Sequence, residues 1–272
     1  MAAFTVTDTN GQAVTYQATD TTDGNEVVIQ TATVTFEGTV ALSPVAGSFV
    51  TNAFGDYTIA PASTGVVGDL LVIWIEEDPE TTGAHVTAIT NDLSSTGAIG
   101  TAVKAIQYLG TNVGSDVEIW YAPVTAAGAI TLDYAWSGGG NISTSREQYT
   151  TEEFSPASPA TYSTGLTNTV ENPASDTISF PSLTAVAAGE LYAGSIVNFA
   201  QDANAPTGTT AGYTAEVEAL EDLAIFDPDT SAGAQSPTTT VDYVTPQSQS
   251  GVAALIYPSS TNFTVNFNSN GG

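Results

Sequence analysis

Residues Asp116 to Ser137 read DVEIWYAPVTAAGAITLDYAWS. An apolar run ends at the small-residue turn Ala126-Ala127-Gly128, and Ile130, Leu132, Tyr134 and Trp136 then alternate with their neighbours. A period of two places every second side chain on one face of an extended chain, so the segment reads as two strands joined by a tight turn. The same texture fills most of the sequence. Runs rich in Val, Ile, Thr and Tyr are broken by Gly, Asn, Asp and Pro at spacings of roughly 8 to 12 residues, the mark of an all-β sandwich or barrel. Helical periodicity is nearly absent, and the best helix candidates, Gly100 to Leu109 and Thr214 to Leu223, read equally well as strands. With 272 residues, 42% of them hydrophobic, the chain can bury a large core.

Three regions differ in texture. Residues 1–45 form a small β unit in which Phe4, Val6, Val14 and Tyr16 alternate with polar residues about the turn Asp8-Thr9-Asn10-Gly11. A second turn at Asp23-Gly24-Asn25 leads into the alternating stretch Val27 to Phe36. Strands this few are marginal alone and need a partner surface, which suits an anchoring arm. Residues 46–258 are a longer antiparallel domain closed by the apolar strand Ser250 to Tyr257, and residues 259–272 are an Asn-rich arm.

The long domain contains an internal echo. Tyr57 to Glu76, YTIAPASTGVVGDLLVIWIE, and Thr177 to Val197, TISFPSLTAVAAGELYAGSIV, each run from a strand through Pro61 or Pro181 to Gly68-Asp69-Leu70 or Gly189-Glu190-Leu191, with one residue of offset. Proline starts a connection that it cannot leave as a central strand, and glycine permits the tight turn before the buried run. The elements Gly68-Asp69-Leu70-Leu71-Val72, then Trp120 to Gly128 (WYAPVTAAG), then Ala211-Gly212-Tyr213-Thr214 resemble, in that order, phage- and prophage-associated jelly-roll domains similar to concanavalin-like sandwiches. The resemblance spans Tyr57 to Pro258. It implies an antiparallel jelly-roll β-sandwich and a virion setting, and it names no catalytic residue.

Charge narrows the function classes. Lys104 and Arg146 are the only bases against 29 acids, a formal charge of −27. Phosphate recognition needs clustered Lys and Arg, so nucleic acid is excluded as a partner, and an anionic membrane is disfavoured on the same ground. No apolar stretch of about 18 residues is present to span a bilayer. Unneutralised carboxylates repel one another unless salt screens them, which points to a halophilic or otherwise salty setting. The N-terminal MAAFTVTDTNG lacks the basic and apolar segments of a signal peptide, the reading of a protein that stays inside the cell or leaves it within a particle. Without cysteine there is neither a disulfide framework nor a thiolate metal site.

Candidate sites are sparse. Acidic loops with Asn and Gly supply the hard oxygens that Ca2+ or another cation prefers, and three qualify: Asp20, Asp23, Asn25 and Glu26; Asp202 with Asn204; and Asp227 with Asp229. None matches a defined calcium loop. Trp136, beside Ser137-Gly138-Gly139-Gly140, is the best candidate for stacking on a sugar, whereas Trp74 and Trp120 sit in apolar runs and read as core. His85 has no partner recognisable in the sequence. Glu152 and Glu153 are adjacent and point to opposite faces, which removes them as a glycosidase pair. Glu76 and Asp78 share a face but run into Pro79, the pattern of a solvated turn.

These readings combine into an expectation of a non-enzymatic virion protein on the outer particle surface, a capsid decoration, turret or head-fibre component held through its N-terminal unit. Its partners would be copies of itself, with a trimer favoured over a pentamer, and the major capsid protein or another virion protein. The alternative is a carbohydrate-binding adhesion protein of a tail fibre that engages host glycans.

Overall fold

The structure is a computed structural model that describes residues 12–19, 27–36, 39–53, 58–61, 65–77, 85–109, 116–137, 148–198, 205–218, 222–242 and 246–260. Every regular element among them is a β-strand, including both helix candidates, which contain Val103–Leu109 and Thr214–Val217. Near the N-terminus β1 (Gln12–Thr19) and β2 (Val27–Phe36) pair antiparallel, and the second turn signal, Asp23-Gly24-Asn25, lies outside the described residues. The first signal, Asp8 to Gly11, lies outside the described residues.

The rest of the chain is two consecutive sets of strands. The first comprises β3 (Leu42–Pro44), β4 (Val50–Ala53), β5 (Thr58–Ile59), β6 (Leu70–Glu77), β7 (His85–Asn91), β8 (Ala98–Ile99), β9 (Val103–Leu109), β10 (Asp116–Ala126), β11 (Leu132–Ser137) and β12 (Gln148–Pro156). The second comprises β13 (Ala160–Asn172), β14 (Thr177–Ser179), β15 (Leu183–Ala185), β16 (Glu190–Asn198), β17 (Thr214–Val217), β18 (Leu223–Thr230), β19 (Gly233–Gln235), β20 (Thr238–Thr240) and β21 (Gln249–Ser260).

In the first main sheet β3 and β4 lie on β12, followed by β6, β10 and then β8 and β9. The second main sheet runs β13, β21, β16, β18, β17. The two orders correspond strand for strand, with β6 and β16 at the centre, and all pairs are antiparallel. Each set adds a cover: β5, β11 and β7 in the first, and the pairs β14 with β20 and β15 with β19 in the second. The echo read in the sequence is therefore one of two related sandwich units.

Burial explains the continuous apolar runs. Leu70, Val72, Trp74, Ile119, Tyr121 and Phe154 of the first main sheet share a core with Leu191, Ala193, Phe226, Val252, Ala254 and Ile256 of the second. The Phe226 ring lies 5.4 Å from Phe154, edge to face, and 6.4 Å from Trp74. The opposite faces are buried as well, Leu71, Ile73 and Ile75 with Val86, Leu132 and Tyr134 of the first cover, and Tyr192, Ile225 and Leu255 with Ile178, Phe180 and Val241 of the second. A strand dry on both sides loses its alternation, which is why Leu70 to Ile75 and Val252 to Ile256 are wholly apolar.

The central strands run in the same direction. The Tyr162 hydroxyl donates to the carbonyl of Gly68 at 2.7 Å, and Tyr162 is paired with Pro258 on β21, the strand that places Ile256 opposite Leu191. Gly68 and Gly189 thus lie at one end of the molecule, here the proximal end. Thr39 and Ser259 bridge at that end, and the Val40 amide donates to the Pro258 carbonyl at 3.0 Å. The sandwich accordingly begins by residue 39, since Leu42–Pro44 pairs with β12 and the Val45 amide reaches the Glu153 carbonyl at 2.8 Å. The sequence boundary at 45 falls inside it, since Leu42 belongs to the core between the main sheets and Val40 is buried as well. Likewise Ser259 and Ser260 close β21 rather than open the C-terminal arm.

The two turn glycines make this equivalence testable. Gly68 and Gly189 have φ of +98° and +84°, where a side chain is strained. An added methyl at Gly68 meets nothing within 4 Å, whereas at Gly189 it would lie 2.5 Å from Thr39 Oγ1. Gly68→Ala should cost about 1–2 kcal/mol of unfolding free energy, and Gly189→Ala measurably more, by urea denaturation of each variant.

Candidate functional site

The functionally suggestive groups of the described residues are carboxyls buried between the sheets. On β6 the inward positions Leu70, Val72 and Trp74 continue to Glu76, which is 1% exposed. Glu76 accepts a hydrogen bond from Ser195 Oγ of β16, and Gln148 Nε2 of β12 reaches it at 3.4 Å. The same Gln148 Nε2 donates to Glu218, which follows β17 in the other main sheet and is also buried. Glu76 and Glu218 lie close enough that the ionisation of each acts on the other. Burial pushes Glu76 up to about 7 against the opposing bonds from Glu218, Ser195 and Gln148. It holds Glu218 well above the ordinary carboxyl range, with Glu76 and Asp222 adding repulsion. The expectation of a solvated turn at Glu76 is corrected: its side chain takes the core-facing parity of Trp74. Asp78 lies outside the described residues.

Three further carboxyls behave alike. Glu152 on β12 is raised to about 7 by burial, opposed by its bond to Ser48 and reinforced by Glu216 of β17. Its neighbour Glu153 points to the opposite face, as expected from strand geometry. There it accepts from the Val66 amide at 3.3 Å, and burial with the adjacent Asp69 raises it to about 7. Asp116 is raised to about 7 by burial and by Glu118, against a 2.7 Å bond from Gln107 Nε2. Glu118 is a structural hub. It accepts from the Val86 amide at 2.9 Å and from Trp120 Nε1 at 2.5 Å, and pairs with Lys104 at 3.0 Å while that ammonium sits 4.9 Å from the Trp120 ring centre.

The residues singled out from sequence lie elsewhere. Asp227 and Asp229 fall at the end of β18, where Asp227 accepts from the Asp229 amide at 3.1 Å. Burial, followed by the charge of Asp229, raises Asp227. No group of three or more His, Asp or Glu side chains among the described residues is placed to hold a metal ion. Asp20, Asp23, Asn25, Glu26, Asp202 and Asn204 are outside the described residues. Trp136 is half-buried at the end of β11, edge-on to Tyr149 at 6.2 Å, with its indole nitrogen buried and unpartnered. Trp74 and Trp120 are core residues, as the sequence indicates. His85 bonds through its ring to Ser137 Oγ, its cross-strand neighbour. A shallow groove of about 420 Å³ on the outer cover is lined by Thr87, Thr90, Asn91, Thr101, Ala102 and Trp120 and holds no acid. Its Asn91 amide is engaged in both directions by Ile99.

Chemically, the acid layer holds protons and joins the main sheets. A glycosidase needs two acids flanking a space that admits a sugar and water, and Glu76 with Glu218 has side chains of the two sheets on either side. An acid with a higher pKa folded than unfolded keeps its proton natively while the unfolded chain loses it. Its contribution is complete below the ordinary value of 4.5 and vanishes as pH rises through about 7. At low salt the thermal midpoint should therefore fall from about pH 5 to about pH 8. Glu218→Gln should flatten this fall and raise stability at the alkaline end, because the amide has no charge to bury. Calorimetry across that range checks both.

No protein-family model, curated protein or solved structure matches this chain.

Proposed function

We propose that this is a non-catalytic virion surface protein, a decoration, turret or head-fibre component that docks on the particle through its proximal end and displays an acidic sandwich outward. The observation that carries this reading is the polarity of the molecule. Thr39 and Ser259, through which the N-terminal hairpin and the C-terminal residues join the sandwich, sit together at the proximal end. The turns entering β6 and β16 expose Val66, Val67 and Val186 there, Val186 at 78%. Apolar side chains held out by tight turns beside the attachment point of a separate hairpin are what a base-binding end requires. The resemblance to phage-associated jelly rolls supports the same setting, with the major capsid protein or another virion protein as base. The sealed acids support a passive rather than a catalytic role.

The full-length variant Val67→Asp/Val186→Asp should bind undecorated particles at least ~10-fold more weakly, about 1.4 kcal/mol, with an unchanged thermal midpoint. Cosedimentation measures this. Unchanged particle binding would overturn the docking end, and binding to a glycan array in place of particles would favour the adhesion reading.

A further inference from the structure

We propose that the side of the sandwich formed by β9 and β13 is a self-association wall, through which copies of this chain pack side by side about an axis parallel to the strands. Each of these strands is the edge of its main sheet. Among the described residues β9 pairs only with β10 and β13 only with β21, which leaves one backbone edge of each without a described strand partner. They close the same side, since the Tyr121 hydroxyl lies 3.2 Å from Thr164 Oγ1 and the Tyr108 hydroxyl donates to Glu171 at 2.8 Å.

Charge selects a second copy as the occupant. In a chain with 29 acids, β9 contains none and Ala160 to Val170 of β13 contains none. Glu171, the one acid at the end of β13, is held by Tyr108 and Ser250. Lys104, one of only two bases, lies on β9 and is paired with Glu118. The wall also presents apolar side chains, Leu109 and Leu166 each 49% exposed. The opposite side differs. There β17 carries the exposed Glu216. Two copies that approach by any acidic face stack like charges, whereas wall against wall brings together Thr, Ser, Asn and Leu, with Glu171 already held by Tyr108 and Ser250.

The direction of the axis rests on the proposed docking end; the wall itself does not. Edge-to-edge antiparallel pairing of β13 with its copy would send the two proximal ends opposite ways, and its bulge between Thr164 and Thr167 interrupts a regular ladder. Side-chain packing about a strand-parallel axis keeps the docking ends together and allows the trimeric or pentameric closure that a symmetric shell favours.

The absence of cysteine gives a direct test on the full-length chain. Leu166→Cys lies toward the proximal half of the wall, and Leu109→Cys lies at the distal end, opposite Asp116 and level with Glu77. Sedimentation of the wild type in moderate salt should give an oligomer mass, and Leu166→Glu, at a position 49% exposed, should give a monomer with an unchanged thermal midpoint. Under mild oxidation both cysteine variants should form disulfide dimers at least about tenfold faster than Leu93→Cys on the exposed cover turn, as the raised effective concentration of a contact demands. A monomeric wild type, or equal rates at all three positions, overturns the wall. Dimers from only one of the two wall positions retain the wall but overturn the parallel axis, and with it the shared docking end.

Discussion

Leu70, Val72 and Trp74 of β6 enter one core with Leu191 and Ala193 of β16, while Leu71, Ile73 and Ile75 enter another with the first cover. Double burial of the central strands is the constraint that the rest of the molecule obeys. Neither unit could stand alone with its inner face in water, because that face is as apolar as its covered one. The covers supply the outer seals and the facing unit supplies the inner one. The turns entering the central strands share a design for the same reason. A dry strand needs an abrupt start, and a positive-φ glycine followed by an acid provides it in both units.

The units are related but not identical, and their differences fit together. With one residue of offset taken in, Trp74 corresponds to Ser195 and Glu76 to Val197. Where the first unit contributes a large ring, the second has the small stretch Ala193-Gly194-Ser195. Such compensation of volume is what a close-packed interior demands of facing positions. The hydroxyl left in that space turns to Glu76, so the polar layer grows out of the asymmetry. Two facing acids with a glutamine and a serine are tolerated because burial favours their neutral, protonated forms.

The strand content was legible from alternation, and the relation between units from the Pro, Gly and acid in Pro61 to Leu70 and Pro181 to Leu191. The site was less so. From sequence, Glu76 with Asp78 and Pro79 reads as a turn, since the two acids end a strand and run into proline. The signal for its burial was parity with Leu70, Val72 and Trp74, a signal that counts only once the facing sheet is known to reach that far. Glu218 and Gln148 carry no local signal, because their roles arise from the stacking of β17 over β12 between units distant in sequence. The short-range pattern also placed the start of the sandwich after 45, where the texture changes. The three-residue strand Leu42–Pro44 is too brief to show a period.

The buried layer alters how the formal charge should be understood. A count of −27 treats every carboxyl as ionised, yet Glu76, Asp116, Glu152 and Glu153 titrate near 7 and Glu218 above the ordinary range. At neutral pH the folded protein therefore carries less charge than the count, and the remainder is unevenly placed. Repulsion between copies is then directional. It is strong across faces bearing Glu216 or Asp229 and weak across β9 and β13, where the only ionised pair is internally neutralised. Salt screens the first interaction and leaves the second almost unchanged. An acid-rich chain can thus repel its like strongly across its acidic faces while one side stays near neutral.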